Sequence, residues 1–330
     1  MAKYVKFLAS AGYFPETVVT NDELSQIMET NDEWIQAHTG IKERRYAIDE
    51  NTSDLSTKVA LKLLKQSNLQ AEAIDLIILS TISPDAITPS TAAIVQSNIG
   101  AKNAFAFDIS AACSGFVYAL SIAEKYVRSG QYQNVMVISA EVNSKMMDFT
   151  DRTSAVFFGD AAGGAILSAS DNPNDEMYVA EKLATKGDAD VIHSGRIAPL
   201  SAVKADNYPQ MDAFYQDGRA VYEFVTSTVL AHIQQFLAEQ KLTADDFDLI
   251  VLHQANLRLI EYIAQELKQP LDKFAINVPT IGNTSSAGLP TALAERLSDG
   301  QTYGKVLLTG FGAGLAYGSV ILNLQNFSQK

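Results

Sequence analysis

One sulfur, one imidazole and one carboxamide in this chain have the types needed for nucleophilic acyl chemistry. The only cysteine in 330 residues, Cys113, lies in "DISAACSGF" (108–116), between a strand-like run "AFAFDIS" and a helix-like run "SGFVYALSIAEKYVRSG". At such a junction, free backbone N–H groups and the helix dipole favour a negative sulfur, in a tight turn of the nucleophile-elbow kind. The competing reading is a buried structural cysteine, the commoner fate of a lone thiol. A nucleophilic thiol also requires a base and an electrophilic stabiliser. Of the four histidines, His232 lies in a helix-like run and reads as surface or packing. His193 lies in an irregular stretch, and His38 lies in "QAHTGIKERR" near the surface. His253 ends the strand-like "DLIVLH", on the edge where α/β sheets bind ligands; a satisfied structural histidine is its alternative. Asn283, in "IGNTSSAGLP" (281–290), can donate to a developing oxyanion or simply form an Asx turn or helix cap. The glycines of "GFGAGLAYGS" (310–319) let backbone approach a ligand, and the N–H of Ala313 could join that of Cys113 in an anion pocket.

The elements that must position these groups occur twice. The helix candidate "DLSTKVALKLLKQS" (54–67), with Ser53 or Asp54 as cap and Leu55, Val59 and Leu63 on one face, precedes the strand "DLIILST". Later, "STVLAHIQQFLAEQKL" (227–242) precedes "DLIVLHQ". An offset of 173 residues carries Asp75 onto Asp248, Ser80 onto His253, Ser110 onto Asn283, and "CSGFVYAL" (113–120) onto "SAGLPTAL" (286–293). One register held over helix, strand and helix implies an internal duplication. It predicts two α/β halves joined near 170–178, with the thiol from one half and the imidazole and amide from the other meeting at the seam. The first half carries an insertion at 142–160, of a length that compact domains reserve for function. The irregular stretch at about 186–217 is a candidate lid or channel wall.

Composition excludes several classes. Hydrophobic residues make up 47% of the chain, enough for a large core, and the apolar runs are too short to cross a bilayer. A net charge of −13 disfavours nucleic acid or anionic membrane as partner. A single cysteine permits neither an internal disulfide nor a cysteine-rich metal site. With no signal-like N-terminus, the expected location is the cytoplasm.

Taken together, "TNDEWIQAHTGIKERR" (30–45), "PSTAAIVQSNIGA" (89–101), "DISAACSGFVYALS", "DRTSAVFFGDAAGGAIL", "LHQANLRLI", "GNTSSAGLPTAL" and "GFGAGLAYGS" closely resemble the β-ketoacyl-[acyl-carrier-protein] synthase III family, nearly end to end. The resemblance implies a thiolase-like α/β fold of two duplicated halves around a central active site, here 1–172 and 173–330. It implies a homodimer that needs no cofactor or metal, since the coenzyme A thioester is a substrate. It places the catalytic triad on Cys113, His253 and Asn283. The implied reaction is a ping-pong decarboxylative condensation that initiates bacterial fatty-acid synthesis. Cys113 takes the acyl group of acetyl-CoA or another short acyl-CoA, and malonyl-[acyl-carrier protein] then loses CO2 and attacks it. His253 and Asn283 would hold the enolate oxygen, with a neutral imidazole, and the N–H groups of Cys113 and Ala313 the acyl oxyanion. Trp34 and Arg152 match the positions against the adenine end of coenzyme A, and Gly218 and Asn256 line the pantetheine tunnel.

The chain departs from the family pattern in places. His38 stands where many members have Arg, which could weaken contact with the coenzyme A phosphates. Ile87 and Thr88 stand where a bulky residue often closes the partner's acyl pocket, which could admit longer or branched primers. Ala313 replaces a common Gly and keeps the N–H. Because the carrier protein and this chain are both acidic, docking requires a local basic patch, for which Arg258 and Lys268 are candidates at the tunnel mouth. Biosynthetic thiolases need a second cysteine and elongating synthases a second histidine at the site, and neither is present here. The remaining alternatives are a related enzyme making a polyketide or quinolone precursor, a cysteine thioester hydrolase, and a non-catalytic acyl-binding protein.

Overall fold

The run Leu76–Ser80 is apolar at its first four positions because both of its faces are covered. Leu76 and Ile78 enter one hydrophobic core, while Ile77 and Leu79 enter another. The run Leu249–Leu252 repeats the arrangement, with Leu249 and Val251 in the first core and Ile250 and Leu252 in a third. Strands buried on both faces belong to layered α/β folds. The computed structural model, which describes residues 3–195 and 211–327, has that architecture.

The first sheet has the order Tyr4–Tyr13, Ala161–Ser170, Asn134–Glu141, Leu76–Ser80, Phe105–Ile109. Its last three strands are parallel, and the other pairings are antiparallel. The second has the order Leu249–Leu252, Lys305–Gly312, Gly314–Asn323, Tyr178–Asp188, parallel only in its first pair. The helices Gly115–Arg128 and Gly288–Leu297 pack between the sheets, so the shared core draws on both. Thr52–Ser67 and Thr91–Asn98 cover the outer face of the first sheet, and Leu230–Glu239 and Leu257–Glu266 that of the second. Among the described residues, no helix is long and apolar enough to cross a membrane.

The duplication is visible in backbone detail. The 3-10 turns Ala71–Ala73 and Ala112–Ser114 recur as Ala244–Asp246 and Ser285–Ala287, and the helices that follow the second of each begin at Gly115 and Gly288. Two left-handed residues, Asn68 and Ala112, have counterparts in Lys241 and Ser285. Every one of these pairs is 173 residues apart. The symmetry lapses where Phe105–Ile109 should recur. There the second half forms the short helix Val278–Ile281, with a lone bridge from Ile250 to Phe274. The chain crosses between sheets through the turn Pro173–Asp175.

One local expectation is corrected. The first long helix begins at Thr52 and is capped by Asn51, in a capping box with Asp54, rather than by Ser53 or Asp54. Ser53 instead hydrogen-bonds the Asp85 carboxylate, which draws it into the helix.

Candidate active site

Cys113 sits on the 3-10 turn Ala112–Ser114, between the strand Phe105–Ile109 and the helix Gly115–Arg128. Ala112 adopts φ 45°, a left-handed conformation costly for a residue with a side chain, so the turn is held by its surroundings. Those surroundings include Gly312, where a Cβ would stand 2.7 Å from the Cys113 Cβ and 3.1 Å from its sulfur. The glycine-rich strand end therefore lays its backbone directly against the thiol. The sulfur itself is 3.3 Å from the hydroxyl of Ser285, across the seam.

Asn283 is gripped from two sides. The insertion 142–160 holds its backbone: Asn283 N donates to the Phe157 carbonyl (2.8 Å), and Gly159 N donates to the Asn283 carbonyl (3.0 Å). Ser285 N donates to Asn283 Oδ1 at 2.9 Å. With its oxygen engaged, the carboxamide offers its Nδ2 amine as a donor.

His253 follows the strand Leu249–Leu252 and stays in register with the next, its N donating to the Thr309 carbonyl at 2.8 Å. Its ring is buried edge-on against Phe311, with centroids 5.2 Å apart and Nδ1 without a hydrogen-bond partner. Burial pushes the imidazole down to about 3, against a smaller opposing effect of the Ser285 backbone. A pKa held this low favours the neutral ring at neutral pH.

Burial also pushes the Cys113 thiol up to about 12, helped by the charge of Glu141 and opposed by the Ser285 hydroxyl and the Cys113 backbone. Burial thus works against the negative sulfur that the helix mouth favours.

Cys113, His253 and Asn283 share one cavity of 290 Å3, walled largely by Phe157, Phe158, Phe224 and Phe311. Gly218, Asn256, Arg258 and His38 line it as well. Asn256 also caps the helix Leu257–Glu266 through Leu259 N. Arg258 donates to the carbonyls of Gln36 and Ala37 and pairs with Glu261. Trp34 and Arg152 lie beside the cavity. The His38 ring stacks on Trp34 at 4.4 Å, and the Arg152 guanidinium stands 5.1 Å from the indole centroid. Lys268 lines no part of it.

A second cavity, of 610 Å3, is lined by Thr81, Ser110, Ala112 and Ala313 and shares Ile192 and Phe214 with the first. Ala313 thus faces this neighbouring space, while Gly312 meets the thiol. Ile87 is 76% exposed, and neither it nor Thr88 lines either cavity. Ile192, Phe214 and Gln216 belong to the stretch expected to act as a lid or wall, of which 196–210 lie outside the described residues.

Sequence reasoning missed Ser285, Gly312 and Glu141. Ser285 carried a signal, since the repeat offset pairs it with Ala112, the neighbour of the thiol. Glu141, a fully buried acid ending the strand Asn134–Glu141, carried another, being the one charge in an apolar run. Among the described residues, no group of His, Cys, Asp and Glu is arranged to hold a metal ion.

Residues 107–187 match the family model of 3-oxoacyl-[acyl-carrier-protein (ACP)] synthase III, and residues 237–324 match that of its C-terminal part. The chain is 60% identical to β-ketoacyl-[acyl-carrier-protein] synthase III 1 of Lactiplantibacillus plantarum, over 98% of this chain and 99% of that one. It is 46% identical to the synthase III of Lactococcus lactis subsp. cremoris, over 97% and 99% of the two chains. The crystal structure of the synthase III of Aquifex aeolicus superimposes with a TM-score of 0.88 at 36% identity, covering 97% of this chain and 99% of that one. The priming β-ketosynthase of the R1128 polyketide pathway gives the same TM-score at 31% identity, covering 98% and 97%.

Proposed function

This chain belongs to the β-ketoacyl-[acyl-carrier-protein] synthase III family, an acyltransferase of the initiating condensation in fatty-acid synthesis, and on that premise we propose how its residues share the work. Cys113 Sγ attacks the thioester carbonyl of an acyl-CoA. The new C–S bond forms as the bond to the coenzyme A sulfur breaks, and the thiol proton passes by way of His253 to the departing thiolate. Malonyl-[acyl-carrier protein] then enters. Its carboxylate leaves as CO2, and the electron pair left behind makes an enolate whose oxygen is held by the His253 ring and the Asn283 amine. The enolate carbon attacks the acyl group, a C–C bond forms as the C–S bond to Cys113 breaks, and the sulfur leaves as a thiolate that takes up a proton from solvent, giving 3-oxoacyl-[acyl-carrier protein].

The observation that carries these roles is the pairing of a neutral, buried imidazole with a carboxamide whose oxygen is already taken, both on the cavity that holds the sulfur. Neutral donors stabilise an enolate without first binding the substrate's carboxylate as an ion pair. The N–H groups of Cys113 and Ala313 serve the acyl oxyanion. Trp34, Arg152, Gly218 and Asn256 take the coenzyme A arm, and Arg258 and Lys268 form the basic docking patch for the carrier. The halves divide at 172/173. The larger second cavity is the space for the primer, bounded in a homodimer by Ile87 and Thr88 of a second copy, so primers longer than acetyl are accepted. Support for the dimer is the edge strand Phe105–Ile109, whose Phe105 is 40% exposed beside Tyr126 and Tyr132. A single cysteine suits a cytoplasmic enzyme.

The test is intact-protein mass spectrometry with a panel of acyl-CoAs, from acetyl to branched five-carbon chains. Wild type gains the acyl mass and Cys113→Ser does not; acylation of Cys113→Ser rejects the assignment. Asn283→Ala retains acylation and loses decarboxylation by about 10²–10³-fold. Equal loss of both steps rejects the division of roles.

A further inference from the structure

Glu141 is a fully buried carboxylate that the reaction above does not use. It ends the central strand Asn134–Glu141, where the second half has Gly312 at the end of Lys305–Gly312. Its Oε2 accepts from the Thr81 hydroxyl (3.1 Å), the Ile82 N–H (3.0 Å) and the Ser83 hydroxyl (2.8 Å), all in the first half. Its Oε1 accepts from Ser286 Oγ at 2.6 Å, in the second half. Ser286 is the residue that the duplication pairs with Cys113. Its neighbour Ser285 meets the Cys113 sulfur with its hydroxyl and holds the Asn283 carboxamide with its N–H. Ser285 adopts φ 51°, a conformation that persists only when its surroundings over-determine it.

We propose that Glu141 is a positioning residue for Cys113 and Asn283: its carboxylate clamps the Ser285–Ser286 turn of one half to the Thr81–Ile82–Ser83 turn of the other, and so sets the hydroxyl that meets the sulfur and the N–H that orients the carboxamide. This rests on the roles assigned above to those two residues. The clamp has an electrostatic side, because the same carboxylate disfavours a negative sulfur. The charged side chain that feels it is Lys145, whose ammonium donates to the Pro84 carbonyl and also feels Asp85 and Asp160. No direct ion pair to Glu141 is found among the described residues; burial raises its pKa, and the Ser286, Ser83 and Thr81 hydroxyls and the Ile82 N–H act the other way, in favour of the carboxylate.

Two variants separate tether from charge, each checked for folding by thermal unfolding. Glu141→Gln keeps an acceptor for Ile82 and Ser83 and turns an amine toward Ser286 Oγ, so the tether survives while the charge is gone. Iodoacetamide alkylation of Cys113, followed across a pH series by intact mass, shifts to lower pH and speeds up about three- to tenfold at a fixed pH. Ser286→Ala keeps the charge and cuts the tether. The Ser285 hydroxyl is then no longer held against the sulfur, so the alkylation profile moves to higher pH, opposite to Glu141→Gln, and the ratio of malonyl decarboxylation to acyl transfer falls about tenfold. An unmoved alkylation profile in Glu141→Gln, or an unchanged ratio in Ser286→Ala, overturns the proposal. Alkylation needs no acyl substrate, so a wild type that takes no acyl group from acyl-CoA rejects the functional reading and still leaves the clamp open to test.

Discussion

At the scale of single residues, chemistry here depends on close approach as much as on side-chain type. Gly312 has no functional group, yet it determines where the sulfur can sit. A methyl group there meets the Cys113 Cβ, N and Sγ within 3.1 Å. Gly312→Ala is therefore expected to slow acyl-enzyme formation about 100-fold, the effect of a displacement near 1 Å at a reacting atom. Mass spectrometry on the acylation time course reads this directly. Gly187→Ala, where an added methyl has nothing within 4 Å, is the control that leaves the rate unchanged. Cys113 and His253 also illustrate how far burial reaches. The same apolar walls that lower the pKa of the imidazole raise that of the thiol.

Between elements, the insertion 142–160 is fastened by a residue with no part in the chemistry. Arg44 is fully buried and donates to the carbonyls of Val156 (2.8 Å) and Val19 (3.2 Å). Val156 precedes the Phe157 carbonyl that receives Asn283 N, so Arg44 braces the loop that braces the carboxamide. Arg44→Met removes both hydrogen bonds and leaves the buried Val156 carbonyl without this partner, at a cost of about 1–3 kcal/mol. The expected result is a melting temperature lower by roughly 5 °C. Condensation falls in step, while alkylation of Cys113 proceeds at the wild-type rate. A variant that melts normally and condenses normally removes Arg44 from this account.

For the molecule as a whole, two buried histidines make it sensitive to acid, opposed in part by Asp160, whose carboxyl burial raises to about 6. Burial lowers His232 from 6.5 to about 4, with a smaller push from Lys182, and lowers His253 to about 3. Both bind a proton less readily folded than unfolded. Their contribution to stability is therefore intact above pH 6.5 and is lost as pH falls, through about 4 for His232 and about 3 for His253. Between pH 7 and pH 5 each is expected to cost about 1–2 kcal/mol, seen as a falling urea midpoint. His232→Phe, beside Phe236 and Tyr317, flattens that slope; an unaltered slope means the acid sensitivity lies elsewhere. The exposed edge at Phe105 carries the other whole-molecule prediction. On the homodimer proposed above, Phe105→Lys on that strand shifts the sedimentation coefficient toward a monomer, and a species unchanged in size rejects this edge as the dimer contact.

Much of this was legible in the order of residues. The 173-residue register, the strand–turn–helix setting of Cys113, the strand-end position of His253 and the insertion before Asp160 all follow from local pattern, because periodicity and turn chemistry act over a few residues. The approach of Ser285 to the sulfur, the Oδ1 of Asn283 taken by a backbone N–H, the hydrogen bonds of Glu141 to both halves and the burial that opposes a thiolate were not. Each depends on groups brought together from opposite halves and on water excluded between them. Distance and dielectric are properties of the packed chain alone, and it is they that decide which form of Cys113 and His253 meets the substrate.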